Sequence, residues 1–287
     1  MNKIKPEKIW TEENRKKIIQ ILILAALLIL LPLAAEWQMK HMESRTLAPV
    51  FADHEYMAFY LEKDMLLEME KQKEEESVPK EEEVYAFLQG PRSYERKQSG
   101  AGDWALEIIN GNSFAGFGCG ACCMANIYST LSPYECSPLE MCYFAMEHTG
   151  YQPTRKVGAI GWGDLKYGLR AAGIDCELEY KTDTYEAFQE MMADAKSMVA
   201  LVSSDEDDTF WKDTHGHYVN IWLYDDEDDT VFLAEPGDPN NNRSRIPLRY
   251  IYDALKTSST YQFLAVAGYT EENDVWKHNG IGGTWYR

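Results

Sequence analysis

The chain is poor in basic residues and in long apolar runs, and its cysteines are few. It carries 28 Lys and Arg against 47 Asp and Glu, a net charge of −19 at pH 7. Affinity for nucleic acid comes mostly from neutralisation of phosphates by Lys and Arg, so this composition argues against a nucleic-acid partner. The sequence shows no internal repeat, which excludes a repeat architecture.

The one long apolar run covers residues 18–35. As a helix it would be about 27 Å long, enough to span a hydrocarbon core. Basic residues precede the run and Glu36 and Glu43 follow it, so the positive-inside rule predicts a cytoplasmic N-terminus and an exported remainder. A cleaved signal peptide ending near Ala35 is the alternative. No cysteine directly follows the run, which excludes lipid anchoring there.

Between this run and the globular part, residues 36–84 predict an acidic helical stalk and linker. Met57, Leu61 and Met65 stand at helical spacing, whereas the charged end at 71–83 lacks the apolar residues that a core needs. A partner-binding coiled coil is the alternative. It would require an apolar stripe that lasts about three or four heptads, and this stripe is shorter. The predicted organisation is a basic N-terminus (1–17), a transmembrane signal anchor (18–35), the stalk (36–84) and a domain (85–287).

The pattern within 85–287 predicts an α+β domain. Helical spacing appears at 121–131, 138–149, 162–172, 185–195 and 248–255, and strand patterns at 174–180, 198–202, 217–224, 230–234 and 262–269. The clearest strand signal is the antiparallel hairpin formed by 217–224 and 230–234. Helices come first and strands gather later, which is not the order of a repeating βαβ sheet.

A reactive cysteine stands within this domain. Three of the six cysteines, Cys119, Cys122 and Cys123, fall within five positions, which indicates a site, because a domain of this size does not need a disulfide framework. Cys119 has a glycine on each side and precedes the predicted helix. A thiol at the first turn of a helix is favoured as the thiolate.

A thiolate nucleophile needs a histidine that shares and returns its proton, and a group that orients the histidine. His217 is the predicted base, because it leads directly into the apolar strand; His215, two residues earlier, is the competing candidate. Glu235 and Asp238 lie at the end of the neighbouring strand, and either could orient the ring. Ordinary turn chemistry is the alternative for both acids.

These residues resemble a known family. Gly118-Cys119-Gly120, the following helix, His217-Tyr218-Val219 and the hairpin that ends in acid-Pro-Gly look like the papain-fold cysteine peptidases of family thirty-nine. This is the bacteriocin-leader-processing type, in its stand-alone exported branch. The resemblance covers about residues 95–270.

The resemblance implies a papain-like fold in which Cys119 is the nucleophile, His217 the general base and acid, and the acid before Pro236 the orienting residue. It also implies an upstream glutamine that completes the oxyanion hole and is followed by an Asp and a Trp. Gln98, with Asp103 and Trp104 after it, matches this pattern. The chain departs from the family in having Glu235 where Asp is usual, and Ala121 where Pro is usual.

Three other functions compete. Cys119 and Cys122 form a C-x-x-C pair, as in thioredoxin-like oxidoreductases, but the preceding 108–117 predicts a loop instead of the buried strand that such a motif follows. Zinc could bind Cys119, Cys122, His215 and His217, whose overall spacing is tolerable, but two histidines two residues apart on a strand match no ligand pattern. The third alternative is a catalytically idle papain-fold domain that binds peptide or cell-wall components. The only observation in its favour is that Glu235 stands where the family usually has Asp.

Residues 205–208 and 225–229 are acidic runs. Neither run supplies the glycine at the sixth position and the glutamate at the twelfth position of a calcium loop, so both predict solvated turns. The sequence therefore predicts an exported, membrane-anchored cysteine peptidase with an extracellular catalytic domain. Its expected partners are a peptide or protein substrate and, through 18–35, the membrane. No cofactor and no metal are expected.

Overall fold

The computed structural model describes residues 79–287, and these fall within one compact unit. The predictions for 1–17, for the apolar run at 18–35 and for most of the stalk lie outside the described residues. Within 79–287, no helix has the length and apolarity needed to cross a membrane.

Seven α-helices occur in this part of the chain. They are α1 (Pro91–Glu95), α2 (Phe114–Phe117), α3 (Cys119–Leu131), α4 (Pro138–Thr149), α5 (Trp162–Ala171), α6 (Tyr185–Asp194) and α7 (Leu248–Ala254), and a 3₁₀ turn covers Asp103–Leu106. Local chemistry fixes α4 at both ends. Ser137 and Glu140 form a capping box at its start, and Gly150 ends it in the left-handed region with φ of 79°.

Two short strands, β1 (Ile108–Ile109) and β2 (Asn112–Ser113), form a hairpin by themselves. The remaining strands are β3 (Ala172–Glu179), β4 (Ser197–Val202), β5 (His217–Asp225), β6 (Thr230–Ala234), β7 (Ser244–Pro247) and β8 (Phe263–Asp274). They form a six-stranded sheet in the order β3-β8-β4-β5-β6-β7, and every neighbouring pair is antiparallel.

The sheet buries both of its faces. Because strand side chains alternate, Trp222 joins the core shared with α3, α4 and α5, while its neighbour Ile221 joins the core shared with α6 and α7. Two layers of helices therefore cover the sheet. Burial on both faces holds β5 and β6 in one register, since a slip of one residue would exchange the two faces.

A buried polar chain ties α3 to the sheet. Asn126 on α3 donates its amide to Asn220 on β5 (3.2 Å) and accepts the N–H of Phe87 (2.8 Å). Both asparagines are 0% exposed, so losing either partner would leave a buried amide unsatisfied. This contact ties the middle of α3 to β5.

The α+β prediction is confirmed at that level. The predicted helix at 138–149 and strand at 230–234 have the observed bounds, and most other elements differ from prediction by one to three residues at an end. Two predictions were wrong. Residues 108–117, expected as a loop, form the β1–β2 hairpin and α2, and the last strand continues to Asp274 instead of ending at 269. The short strand β7 was not predicted.

Candidate active site

Cys119 is the first residue of α3. A helix cannot satisfy its own first N–H groups, which therefore point at whatever lies beyond its N-terminus. The two flanking glycines are sterically required. A Cβ at Gly118 would lie 2.4 Å from the ring of Phe114, and one at Gly120 would lie 2.4 Å from Cγ2 of Ile160. The glycine pattern seen in the sequence thus reflects close packing around the thiol.

The thiol of Cys119 is 6% exposed and contacts His217. Burial raises its pKa, but the hydrogen bond and charge of His217 lower it, and so do the backbone N–H groups of Tyr218 and Gly120. The net result is a pKa below that of an ordinary thiol. Cys119 is therefore poised as a thiolate.

His217 and Glu235 meet at one end of the β5–β6 hairpin. Asn220 pairs with Ala234, so continuing the register past the strand ends places Glu235 and His217 on the same side, diagonally across the two strands. Nε2 of His217 lies 2.5 Å from Oε1 of Glu235. Because this contact occupies Nε2, Nδ1 is the ring nitrogen left for Cys119.

Glu235 is 2% exposed, and three groups hold its carboxylate. Oε1 contacts His217 and accepts the N–H of Gly237 (2.8 Å), and Oε2 accepts the indole N–H of Trp211 (3.0 Å). Burial raises the pKa of Glu235, but the charge and hydrogen bond of His217 outweigh it, helped by Trp211 and Gly237, and the pKa is lowered. The carboxylate is therefore ionised.

The charge on His217 is set by its two neighbours. Burial lowers the pKa of the imidazole, but the negative charge of Glu235 and the contact with Cys119 raise it well above its usual value. An imidazolium thus lies between a thiolate and a carboxylate. The alternation of charge compensates for the burial of all three groups.

Asp238, the other acid that the sequence left open, serves the turn. Its carboxylate accepts the N–H of Asn240 (2.9 Å) and the side-chain amide of Asn241 (2.8 Å). Asp238 lines the same cavity as Cys119, but it is Glu235 that contacts the imidazole. Of the two candidate acids, the geometry therefore favours Glu235.

The glutamine beside the thiol is Gln89. Gln98, the glutamine selected from the sequence, does not line the cavity, whereas Gln89 does. Nε2 of Gln89 donates to the carbonyl of Ala115 (2.8 Å), and its backbone N–H donates to the carbonyl of Pro236 (2.9 Å). The first bond aims the amide and leaves its second N–H for a ligand. Gln98 was preferred for its sequence neighbours, and Gln89 carries no comparable local signal.

Gln89 is held in place by the extended segment 84–89. Val84 and Phe87 are buried in the core shared with α3, and Asn242 donates its side-chain amide to the carbonyl of Ala86 (2.9 Å). The segment thus lies against both α3 and the turn that carries Glu235. Sequence analysis placed these residues at the edge of the linker and missed their role.

A cavity of about 460 Å³ opens over the thiol and the imidazole. Gln89, Gly116 and Ala159 line one part of it, and the loop that runs from Phe210 to Gly216 lines another. Trp211 belongs to this loop, and it was also missed. The sequence signal was present, because a Phe-Trp pair in an otherwise polar, acidic stretch indicates burial.

The alternatives find less support in the geometry. Within 79–287, no three His, Cys, Asp or Glu side chains are grouped to hold a metal ion. The side chain of His215 is 87% exposed, and its Nδ1 lies 3.4 Å from Oδ1 of Asp205. A helical turn, α2, precedes the C-x-x-C pair, where a thioredoxin-like motif would follow a buried strand.

No protein-family model and no curated protein matches the chain. The function is therefore argued from the residues and from their arrangement.

Proposed function

We propose that the domain is a papain-fold cysteine peptidase, similar to family thirty-nine of these enzymes, and that it cleaves peptide bonds. The observation that carries the proposal is the contact chain Cys119–His217–Glu235 beside an open cavity. A thiol at a helix start, a histidine and a histidine-orienting acid are the set that nucleophilic acyl transfer requires.

In the first step the Cys119 thiolate attacks the carbonyl carbon of a peptide bond in the cavity. Negative charge then develops on the carbonyl oxygen. The N–H of Cys119, at the start of α3, and the free N–H of Gln89 Nε2 are the donors for this oxyanion. Such preorganised donors lower the barrier because they are already aimed at the position where charge appears.

In the second step His217 gives its Nδ1 proton to the leaving amine, the C–N bond breaks and a thioester remains on Cys119. Water then attacks the thioester and passes its proton to His217. The carboxylic acid product leaves, and the thiolate–imidazolium pair is restored. Glu235 keeps the ring oriented and stabilises the imidazolium throughout.

The length of Glu235 is compatible with this role. The idle-domain hypothesis rested on a glutamate standing where the family has an aspartate. Oε1 reaches Nε2 of His217 at 2.5 Å, so the extra methylene does not prevent the contact. The glutamate therefore no longer supports the idle-domain hypothesis. Export and membrane anchoring of the peptidase stay a prediction from residues 18–35.

The proposal is tested with the full-length chain in detergent. The rate at which iodoacetamide alkylates Cys119 is followed by peptide mass mapping from about pH 4 to about pH 9. A mixture of denatured, proteome-derived peptides is then incubated with the protein and searched for new termini. Cys119→Ala and His217→Ala are the test variants, and Cys123→Ala, which removes a buried thiol of the same helix, is the matched control.

We expect Cys119 to alkylate faster at neutral pH than an ordinary thiol, and His217→Ala to move the midpoint to higher pH. New termini should appear with the wild type and with Cys123→Ala, but not with Cys119→Ala. An ordinary alkylation profile that His217→Ala leaves unchanged would refute the reactive pair. A reactive thiol that produces no new termini would refute the peptidase.

A further inference from the structure

The core around α3 contains further buried thiols, and the proposed hydrolysis uses none of them. Cys122 and Cys123 on α3 are 0% exposed, and Cys142 on α4 is 1% exposed. All six cysteines of the chain are free thiols. Burial raises the pKa of Cys122, and the neighbouring charges of Cys119 and Cys142 raise it further.

Cys119 and Cys122 are separated by one helical turn. Cα atoms three residues apart in an α-helix are about 5 Å apart, which falls within the range that a disulfide spans. The corresponding Cβ atoms are about 5–6 Å apart, somewhat more than a disulfide allows, so the first turn must tighten. It can do so at its first residue, because the N–H of Cys119 makes no hydrogen bond within α3.

The two thiols have opposite properties. Cys119 lines the cavity and is favoured as a thiolate, so it is the thiol that a small oxidant reaches and reacts with. Cys122 is shielded from solvent behind it and stays protonated. A reactive thiolate with a protected thiol one turn away is the arrangement that traps an oxidised cysteine as a disulfide.

We propose that Cys119 and Cys122 form a reversible redox pair that a hydroperoxide oxidises. In the first step the Cys119 thiolate attacks one peroxide oxygen and the O–O bond breaks. The sulfur becomes a sulfenic acid, and the departing oxygen takes a proton from the His217 imidazolium and leaves as water or an alcohol. The peroxide gains two electrons and Cys119 loses two.

In the second step the Cys122 sulfur attacks the Cys119 sulfur and the S–O bond breaks. The hydroxyl group takes the proton of Cys122 and leaves as water, and an S–S bond remains. Oxidation of Cys119 prepares this step, because a neutral sulfenic acid no longer places a negative charge beside Cys122. The sum is two thiols and one hydroperoxide converted to a disulfide, water and the corresponding alcohol or a second water.

The disulfide would switch the site off and protect it. Cys119 would no longer be available to attack a carbonyl. It would also be protected from oxidation to the sulfinic acid, which is irreversible in most proteins. Since the first turn must tighten to close the bond, the disulfide should be easily reduced. This inference rests on the reactive thiolate of the proposed function but not on peptide cleavage.

The test uses the full-length chain with one equivalent of hydrogen peroxide as the probe. The protein is then denatured, blocked with iodoacetamide and digested without reductant. Because Cys119, Cys122 and Cys123 stay on one peptide, mass spectrometry recognises a disulfide as an internal link that lowers the peptide mass by two hydrogens, and fragmentation shows which cysteine still carries the label. A second aliquot is treated with dithiothreitol before blocking, to measure recovery of the Cys119 thiol. Cys122→Ala is the test variant and Cys123→Ala the matched control, since both remove a fully buried thiol of α3.

In the wild type and in Cys123→Ala we expect a Cys119–Cys122 linkage and nearly full recovery of the thiol after reduction. In Cys122→Ala we expect no such linkage. In a parallel treatment with excess peroxide, we expect about tenfold less thiol to be recovered from Cys122→Ala than from Cys123→Ala, because the sulfenic acid proceeds to the sulfinic acid. The wild-type peptide map requires no variant, so the test does not depend on the folding of Cys122→Ala.

Linkage of Cys119 to Cys123 or Cys142 would overturn the proposal, as would equal recovery in the two variants or a Cys119 that stays alkylatable after peroxide. These outcomes are distinct from failure of the peptidase. A chain that forms the Cys119–Cys122 disulfide and cleaves no peptide keeps the redox pair and loses the hydrolase. A chain that cleaves peptides but forms no Cys119–Cys122 disulfide keeps the hydrolase and loses the redox pair.

Discussion

The two ends of the β5–β6 hairpin both carry acidic side chains, and they use them differently. At the site end, Glu235 is 2% exposed, and its carboxylate contacts His217, Trp211 and Gly237. At the turn end, 225–229, three of the five acids are exposed to solvent. Both ends are negative, but water screens the exposed charges, so a carboxylate acts more strongly on a neighbouring charge at the buried end.

Asp229 shows that a turn-end acid can still have a structural role. Its carboxylate accepts hydrogen bonds from Tyr185 (2.8 Å), Gln189 (2.9 Å) and Tyr224 (3.1 Å). These partners are neutral donors, so the carboxylate ties α6 to the hairpin without setting up a proton relay. The groups around a carboxylate thus decide its role, and the net charge of the chain does not.

The largest expected effect comes from Glu235→Gln. The amide keeps the shape of the side chain but cannot stabilise the imidazolium, so the pKa of His217 should fall and that of Cys119 should rise. We expect peptide cleavage to fall about 10²- to 10⁴-fold, and alkylation of Cys119 at neutral pH to slow. Initial rates measure both, with circular dichroism as the check on folding. A folded variant with wild-type rates would contradict the role of Glu235.

The effect of Glu235→Gln on stability should depend on pH. The folded-state pKa of Glu235 is lowered, so its stabilisation is fully present above about pH 4.3 and is lost as the pH falls through the folded value. The pKa of His217 is raised, so its stabilisation is fully present below about pH 6.5 and is lost as the pH rises through the folded value.

The difference in unfolding free energy between wild type and Glu235→Gln should therefore be largest between about pH 4.3 and about pH 6.5. It should decline on both sides of this window. Urea denaturation at a series of pH values measures it. A difference that does not change with pH would mean that the pair is not ionised.

A smaller effect is expected from Trp211→Phe. Phenylalanine keeps most of the apolar packing but removes the N–H that Oε2 of Glu235 accepts. A lost hydrogen bond to a buried charged group is worth about 1.5–3 kcal/mol, so the free energy of unfolding should fall by this order. The alkylation midpoint of Cys119 should also move to higher pH, which a purely structural role of the indole would not cause.

Gly237→Ala should disturb the site less. The added Cβ would lie 3.1 Å from Cε1 of His217 and 3.3 Å from Oε1 of Glu235, so the ring and carboxylate must shift by a few tenths of an ångström. We expect cleavage to fall by less than about tenfold, since larger losses accompany displacements of about 1 Å. Steady-state rates check this. A greater loss would mean that the ring cannot move without breaking its contact with Cys119.

The smallest effect belongs to Asp226→Asn at the turn end. Asp226 is exposed, and its change should alter the free energy of unfolding by no more than about 0.5 kcal/mol. Cleavage and alkylation of Cys119 should keep their wild-type rates. If this variant slowed alkylation as Glu235→Gln does, long-range charge and not local contact would control the site.

The sequence was most informative where a local pattern coincides with burial. The glycines around Cys119, the helix that follows and the alternating hairpin all indicate their structure from neighbours in the chain. The placement of His217 follows from the same hairpin. The hairpin belongs to a six-stranded antiparallel sheet with helices on both faces, in agreement with the predicted α+β class.

What the sequence did not predict depends on contacts distant in the chain. Gln89 meets Ala115 and Pro236 only because the segment 84–89 packs between α3 and a turn, and no local pattern separates it from Gln98. The choice between Glu235 and Asp238 likewise needed the register of β5 and β6. In the sequence, Glu235 and Asp238 flank the same Pro236-Gly237 turn, so position in the chain does not distinguish them.

The segment 84–89 sets a limit on how far the chain can be shortened. Arg243 donates to the carbonyl of Val84, and Val84 itself is 2% exposed. A fragment that begins at Tyr85 would lose this anchor, and one that begins after Gln89 would also lose the proposed oxyanion donor. A shortened version of the chain for crystallisation or screening should therefore start upstream of Val84.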